Sequence, residues 1–254
     1  MTICEVFPNP TVKQVIFQIR FPNLFYIENK IGEYQLRIMR QFPDSRLLRR
    51  SPILIAGISP EAKLEDVPDK AHTPGIETIW SFKSRSGVEL NVKSDSVDLS
   101  STSHKTYDNP SADYRFRDMI EFSVNNFLEI VSIPVISRIG LRYIDECPVP
   151  EMNNAAFQAY YNTTFPLDRF PVSDAIQMDF RTRISKDDYF LNFREFLDNV
   201  EREPKFILDF DGYAQDVDTG KYLEVTDDLH TLIIDEWVKS IKDPVFEYMR
   251  RGKE

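Results

Sequence analysis

Residues 78–100, TIWSFKSRSGVELNVKSDSVDLS, decide the fold class of this chain. Apolar side chains recur there at every second position in three runs: Trp80 and Phe82, then Val88, Leu90 and Val92, then Val97 and Leu99. A period of two predicts short strands with one buried face. Ser86-Gly87 and Ser94-Asp95 separate the runs, and both dipeptides favour tight turns. The stretch therefore predicts three consecutive antiparallel strands.

The rest of the chain continues in the same style, with helices between groups of strands. Alternation predicts further strands at residues 12–21, 135–145, 176–184, 189–193 and 205–213, and Pro52 predicts an edge strand at 46–56. Apolar residues three or four positions apart predict helices at 24–41, 112–131 and 153–162, one from Thr226 as N-cap, and a last one from Pro244.

These elements predict an α+β protein with a mainly antiparallel sheet, helices packed on it and a C-terminal helix. The sheet is expected either as two related lobes, residues 1–147 and 148–254, or as one curved half-barrel in a continuous domain. A hinge is expected at 146–150, where two prolines lie close together. No residue-level repeat joins the two halves.

Composition describes an ordinary globular chain and excludes several classes of protein. Its 254 residues are 42% apolar and carry 31 basic against 41 acidic side chains, a formal charge of −10. No apolar run approaches the length that spans a bilayer, and the N-terminus lacks the pattern of a secretory signal. We therefore expect a cytoplasmic protein that makes no membrane contact.

Cofactor and nucleotide sites are not expected. The chain has only 8 glycines and neither of the glycine-rich phosphate-binding motifs. Cys4 and Cys147 belong to no C-x-x-C pair, so a zinc site is not expected and the thiols are expected as inert packing.

One basic cluster interrupts the acidic composition. Five arginines fall within fourteen residues: Arg37, Arg40, Arg46, Arg49 and Arg50. Clustered arginine favours a phosphate backbone or an acidic partner, whereas the overall acidity does not. Direct nucleic-acid binding is therefore expected only through these five side chains, and a solvated surface is the alternative.

An acidic cluster near residues 209–235 provides a candidate metal site. Asp209 and Asp211 alternate on one predicted strand face, so their carboxylates point the same way and form a weak candidate site for a divalent cation. The alternative is that both acids face water. The chain has no H-E-x-x-H motif and no complete calcium loop.

Arginines on the polar faces of predicted strands form a second candidate site. They are Arg20, Arg138, Arg142, Arg181 and Arg183. If the sheet curves, they would line a groove for an anionic ligand together with Gln14, Gln18, Tyr143 and Asp145. The alternative is a solvated face of Arg–Asp pairs, each contributing little.

Two further candidates involve aromatic residues and histidine. Tyr160 and Tyr161 lie in a segment of poor periodicity, 157–165, where exposed aromatic side chains would mark a protein interface. His230 lies beside Asp227 and Asp228 on the last long helix, and these carboxylates are expected to favour its charged form. His72 and His104 lie far apart in predicted loops.

Four segments also resemble a known family: VIFQIRFP at 15–22, WSFKS at 80–84, RIGLRYID at 138–145, and the stretch from Leu229-His230 to Ser240-Ile-Lys-Asp243. They resemble a sporadically distributed bacterial family of about this length with uncharacterised function. The resemblance implies a bacterial, cytoplasmic protein encoded near mobile defence or toxin–antitoxin genes. It carries over no catalytic residue and implies architectural or ligand-facing roles for Arg138, Gly140, Arg142, Tyr143, His230 and Asp243.

With no complete catalytic motif, we expect a non-enzymatic interaction protein. An antitoxin-like inhibitor or an accessory subunit of a phage-defence complex is the first prediction, and an acidic chain suits a basic or nucleic-acid-associated protein partner. A metal-dependent nuclease or hydrolase using Asp209 and Asp211 is one alternative. A sensor that binds an anionic ligand on the strand arginines is the other.

Overall fold

The structure is a computed structural model that describes residues 5–50, 77–103, 106–110, 112, 114–200 and 203–251. Within these residues, nine strands form one antiparallel sheet: β1 Val12–Arg20, β2 Asp44–Arg50, β3 Glu77–Lys83, β4 Glu89–Val92, β5 Ser96–Ser101, β6 Ile136–Cys147, β7 Gln177–Lys186, β8 Tyr189–Asp198 and β9 Lys205–Val217. The same part of the chain contains five α-helices: α1 Ile27–Ile38, α2 Phe116–Leu128, α3 Asn154–Tyr160, α4 Tyr222–Ser240 and α5 Asp243–Arg250. The predicted α+β class is confirmed.

Strand order places the start of each half at the centre of the sheet. The order is β2-β3-β4-β5-β1-β6-β9-β8-β7, so β1 and β6 are neighbours and the sheet does not close into a barrel. A helix follows β1 and another follows β6. The chain then crosses to an edge of the sheet and returns strand by strand to the centre. Strands of both predicted lobes thus share one sheet with the same connection pattern on each side.

The helices pack on one face of this sheet. Tyr34 of α1 meets Phe82 of β3 with ring centroids 6.0 Å apart, and Phe157 of α3 meets Phe206 of β9 at 5.0 Å. A side chain added at Gly212 of β9 would lie 3.2 Å from Ile233 of α4. Burial of these aromatic and aliphatic faces provides the main apolar core.

Two segments differ from the sequence predictions, and a third lies outside the described residues. Helix α4 begins at Tyr222, so Thr226 is not its N-cap and instead donates from Oγ1 to the Tyr222 carbonyl at 2.6 Å. The chain enters this helix through a 3₁₀ turn in which the Asp218 carboxylate accepts from the Gly220 N–H at 2.7 Å. Strand β6 extends to Cys147 and so enters the predicted hinge. The predicted continuation of β2 past residue 50, with Pro52, lies outside the described residues.

Among the described residues, no helix is long and apolar enough to cross a membrane.

Candidate functional site

A cavity of about 340 Å³ lies between the sheet and the C-terminal helices. We call it the Asp145 cavity. Thr11, just before β1, and Tyr143 and Asp145 of β6 line its sheet side, while His230 and Trp237 of α4 line its helix side. The N-terminal segment from Glu5 onward, residues 106–108, the start of α2 and Met249 of α5 form the rest of the wall. A concave site of this size, part apolar and part polar, is typical of small-molecule binding.

Asp145 points into this cavity because of strand alternation. Ile139, Leu141 and Tyr143 precede it at every second position of β6, and all face the helical layer. Asp145 takes the next position in this apolar series and is 1% exposed. Its Oδ1 accepts from Thr11 Oγ1 at 2.6 Å, and no described residue donates to Oδ2 within hydrogen-bond geometry. One carboxylate oxygen is thus left with unused acceptor capacity at the cavity wall.

Burial raises the pKa of the Asp145 carboxyl to about 7, since the charged form loses its hydration. The Thr11 hydroxyl and the nearby Trp237 indole oppose this increase only in part. Trp237 Nε1 is buried, and its N–H acts as a donor toward the Asp145 carboxylate without the alignment of a full hydrogen bond. Near neutral pH, Asp145 can therefore act as an acid or as a carboxylate.

His230 adds a neutral imidazole to the same cavity. Its Nδ1 lies 3.0 Å from Tyr143 Oη, and its ring stacks on Tyr107 at a centroid distance of 4.2 Å. Burial lowers the pKa of His230 to about 4, and Asp108 and Asp227 offset this only partly. The expected charged state of His230 is therefore wrong, because desolvation outweighs the neighbouring carboxylates.

The Tyr143 phenol holds the imidazole of His230 through a hydrogen bond to Nδ1. Burial raises the pKa of Tyr143 well above its ordinary value, so the phenol stays protonated. The tautomer of the neutral ring sets which of the two groups donates. This arrangement orients the imidazole in the cavity wall.

A second network fixes the loop beside the cavity. Asp227 of α4 accepts from Tyr107 Oη at 2.7 Å and from Arg117 Nε and Nη2 at 2.8 Å each. These charge-assisted bonds tie the loop and α2 to α4. They also neutralise Arg117, which is the one arginine or lysine among the described residues that line the cavity.

Tyr143, Asp145 and His230 are the predicted site residues that meet in this cavity, whereas the strand arginines, Asp209, Asp211, Tyr160 and Tyr161 lie elsewhere. Tyr143 and Asp145 face the helices, so the expectation that they share a groove with the strand arginines is wrong. The arginines point to the opposite face of the sheet, because they occupy the alternate positions of the same strands.

The strand arginines are held by side chains on their own face. Arg138 donates to Asp211 at 2.9 Å, Arg142 to Asp209 at 2.6 Å, and Arg181 to Asp179 at 2.8 Å. Arg20 donates to Gln18 at 2.7 Å and Arg183 to Asn192 at 2.8 Å. This is the predicted alternative of an Arg–Asp face. Because these arginines already donate to neighbouring side chains, their geometry does not favour a groove that binds an anion.

The candidate metal pair is part of that face. Asp209 accepts both Nε and Nη2 of Arg142, and Asp211 accepts Arg138 and the Asn192 amide, the latter at 3.0 Å. Within the described part of the chain, no group of three or more His, Cys, Asp or Glu side chains is arranged to hold a metal ion. The arginines thus occupy the carboxylates that a cation would need.

The predicted aromatic interface is largely core. Phe157, Tyr161 and Phe165 are buried, and Tyr161 donates to the Pro148 carbonyl. Tyr160 is partly buried and packs against the same cluster. The expectation of an exposed aromatic patch is wrong at Tyr161, because these rings pack on Phe206 of β9.

The remaining predicted residues are dispersed. Arg37 pairs with Glu33 and Glu129 on the surface, and Arg40 is also exposed. Arg46 and Arg49 are exposed on β2, and the side chain of Arg50 is not among those that the structure describes. The role of this cluster in partner binding stays a prediction. Burial raises the pKa of the Cys147 thiol, consistent with inert packing. Cys4, His72 and His104 lie outside the described residues.

Sequence reasoning missed the roles of Asp145, Thr11, Tyr107 and Trp237 in this cavity. One signal is present for Asp145, since this acid stands in phase with the apolar residues Ile139, Leu141 and Tyr143 of its strand. Such an acid is either buried or functional. Thr11 and Tyr107 belong to connecting segments, whose positions no periodicity reveals.

No family model, no curated protein and no solved structure matches the chain.

Proposed function

We propose that this protein binds a small molecule in the Asp145 cavity. The single observation that carries the proposal is Asp145 itself, a carboxyl 1% exposed whose Oδ2 receives no hydrogen bond from a described residue. Leaving such a group without a full set of partners lowers stability, so it is a common mark of a functional site. A ligand that bonds to Oδ2 would offset that cost.

Binding at this position would act on the packing of the C-terminal helices. The cavity wall joins Thr11, strand β6, helix α4 and Met249 of α5, which are distant in the sequence. A ligand that contacts all four stabilises their association, since it binds the folded arrangement only. This is the behaviour of a ligand sensor, the third function predicted from the sequence, with the site moved from the arginine face to the helical side.

The proposal leaves room for the interaction function predicted first. An antitoxin-like or defence-associated protein that meets a basic partner is compatible with a cavity that controls the docking of α4 and α5. The nuclease or hydrolase alternative receives no support, because Arg138 and Arg142 occupy the carboxylates it would use. Bacterial origin and a cytoplasmic location stay predictions.

The test is native mass spectrometry of the purified chain after incubation with a bacterial metabolite extract. Thr231 lines the cavity from the exposed side of α4, so Thr231→Trp should block the cavity without removing a core side chain. Lys239→Trp provides the matched control, because it places the same residue on an exposed position of α4 outside the cavity.

We expect a small-molecule adduct on the wild type and on Lys239→Trp, and its loss in Thr231→Trp. An adduct that persists equally in Thr231→Trp would place the ligand elsewhere and contradict the proposal. The absence of any adduct on the wild type would contradict it as well.

A further inference from the structure

The wall of the Asp145 cavity is acidic. Five carboxylic side chains line it: Glu5, Asp108, Asp145, Asp227 and Asp235. Arg117 is committed to Asp227, and His230 is neutral above about pH 4. Glu5 is paired with Arg250 at 2.8 Å. Asp108 and Asp145 alone thus add negative charge to the wall, and the described residues that line it include no guanidinium or ammonium group without a carboxylate partner, which disfavours an anionic ligand.

Aromatic rings form much of the remaining wall. They are Phe7, Tyr107, Phe116, Tyr143 and Trp237. Aromatic faces attract cations through their quadrupole, and carboxylates attract them by charge. The two kinds of side chain together are the usual surroundings of a bound organic ammonium group.

Two polar atoms in the wall lack an aligned hydrogen bond with a described residue. Nε1 of Trp237 is buried, and its N–H lies near the Asp145 carboxylate without the alignment of a hydrogen bond. Oδ2 of Asp145, a residue 1% exposed, accepts no aligned hydrogen bond from a described residue, and an N–H donor on a ligand would satisfy it. Both atoms belong to residues that line the same cavity.

We propose that the ligand is an organic cation with a protonated primary amine, and that the Asp145 carboxylate is its counter-ion. This inference rests on the proposed function and adds the chemical class of the ligand. The ammonium group donates to Oδ2 of Asp145, and its apolar body lies against the rings of Tyr107 and Trp237.

Proton release follows from this pairing. Asp145 is partly protonated near neutral pH, and a cation at Oδ2 favours the ionised form, so binding expels a proton. The titratable and charged groups that line the cavity with Asp145 are Glu5, Tyr107, Asp108, Arg117, Tyr143, Asp227, His230 and Asp235, and Asp209 and Cys147 also interact with it from the sheet. His230 keeps its neutral form above about pH 4, so it contributes little to proton release between pH 6 and 8.

The experiment uses three probes that share one ring and one chain length: phenethylammonium chloride, 2-phenylethanol and sodium phenylacetate. Isothermal titration calorimetry with the whole chain gives their relative affinities. Repeating the ammonium titration at pH 6.5 in two buffers of different ionisation enthalpy gives the number of protons released. Asp145→Asn removes the counter-ion, and Asp188→Asn, in the exposed turn between β7 and β8, is the matched control.

We expect phenethylammonium to bind at least about tenfold more tightly than 2-phenylethanol, the advantage of a charge-assisted hydrogen bond, and phenylacetate to bind weakest. Asp145→Asn should abolish that advantage and the proton release, while Asp188→Asn should retain both. The wild-type probe series and the proton count do not depend on how well Asp145→Asn folds.

Failure of this inference is distinguishable from failure of the proposed function. If the alcohol or the acid binds as tightly as the ammonium probe, or if Asp145→Asn leaves the preference unchanged, the cation class is wrong while the cavity remains a binding site. If no probe binds and no metabolite adduct forms, both proposals are overturned.

Discussion

Replacement of Asp145 by asparagine is the sharpest test of the electrostatics of the cavity. Asparagine keeps the shape of the side chain and its carbonyl oxygen accepts from Thr11, but it carries no charge at any pH. In the wild type, burial raises the pKa of Asp145 from 3.8 to about 7. Because the folded state holds this proton more tightly than the unfolded chain does, the wild type loses stability as pH rises from about 4 to about 7.

The magnitude follows from the difference in pKa. A difference of about three pH units, at about 1.4 kcal/mol for each unit, corresponds to about 4 kcal/mol. The two proteins should have similar free energies of unfolding near pH 4, where Asp145 is neutral in the folded state. The advantage of Asp145→Asn should then increase by about 1.4 kcal/mol per pH unit and level off above pH 7.

Urea denaturation at half-unit intervals from pH 4 to pH 8 measures this difference. The fluorescence of the two tryptophans reports unfolding, and equal slopes against urea show that the same transition is compared. Asp188→Asn, an exposed aspartate, should run parallel to the wild type. A difference between Asp145→Asn and the wild type that stays constant from pH 4 to pH 8 would refute the reasoning, because Asp145 would then titrate as an ordinary carboxyl.

Three further predictions use the same denaturation assay. The pH dependence of stability should have the opposite sign at His230, because burial lowers its pKa from 6.5 to about 4. Relative to His230→Gln, the wild type should lose about 3 kcal/mol of unfolding free energy as pH falls from 6.5 to 4. Parallel curves for the two proteins would contradict this. Glu195 is 1% exposed and accepts from Thr164 N and Oγ1 at 3.0 Å each, so Glu195→Ala should lower the free energy of unfolding by about 3 kcal/mol and Glu195→Gln by less; equal losses would show that the bonds do not matter. Gly212→Val should lower the free energy of unfolding by about 2 kcal/mol, because the new Cβ would lie 3.2 Å from Ile233 of α4. Gly32→Ala in helix α1 should raise it by about 1 kcal/mol, because its Cβ would meet nothing within 4 Å. A loss of stability in both variants would indicate a backbone effect instead.

The sequence alone was sufficient for most of the local structure. Alternation at Phe17 and Ile19, or at Leu90 and Val92, places side chains on opposite faces of an extended chain whatever its neighbours are. The four-residue spacing of Leu229, Ile233 and Trp237 likewise predicted the helical face of α4 that is buried. The predicted start of α4 lies four residues too late. Thr226 is a residue type that often caps a helix, but the chain enters α4 through the 3₁₀ turn that follows Asp218.

The candidate site depended on information that no local pattern carries. Asp145 and Thr11 are separated by 134 residues, and His230 is 87 residues from Tyr143. They meet because β1 and β6 pair at the centre of the sheet and α4 packs on β6 and β9, an arrangement favoured by the total burial of both halves of the chain.

The same limit applied to charge. Periodicity placed Arg138 and Arg142 on the polar face of their strand, but it did not show which face the helices cover or which acid meets which arginine. The sequence by itself determined the strands, the main helices and the phase of each. Only the tertiary structure decided the order of the strands, the Arg–Asp pairing and the burial that shifts the pKa of Asp145 and of His230, because hydration of a charge depends on everything around it.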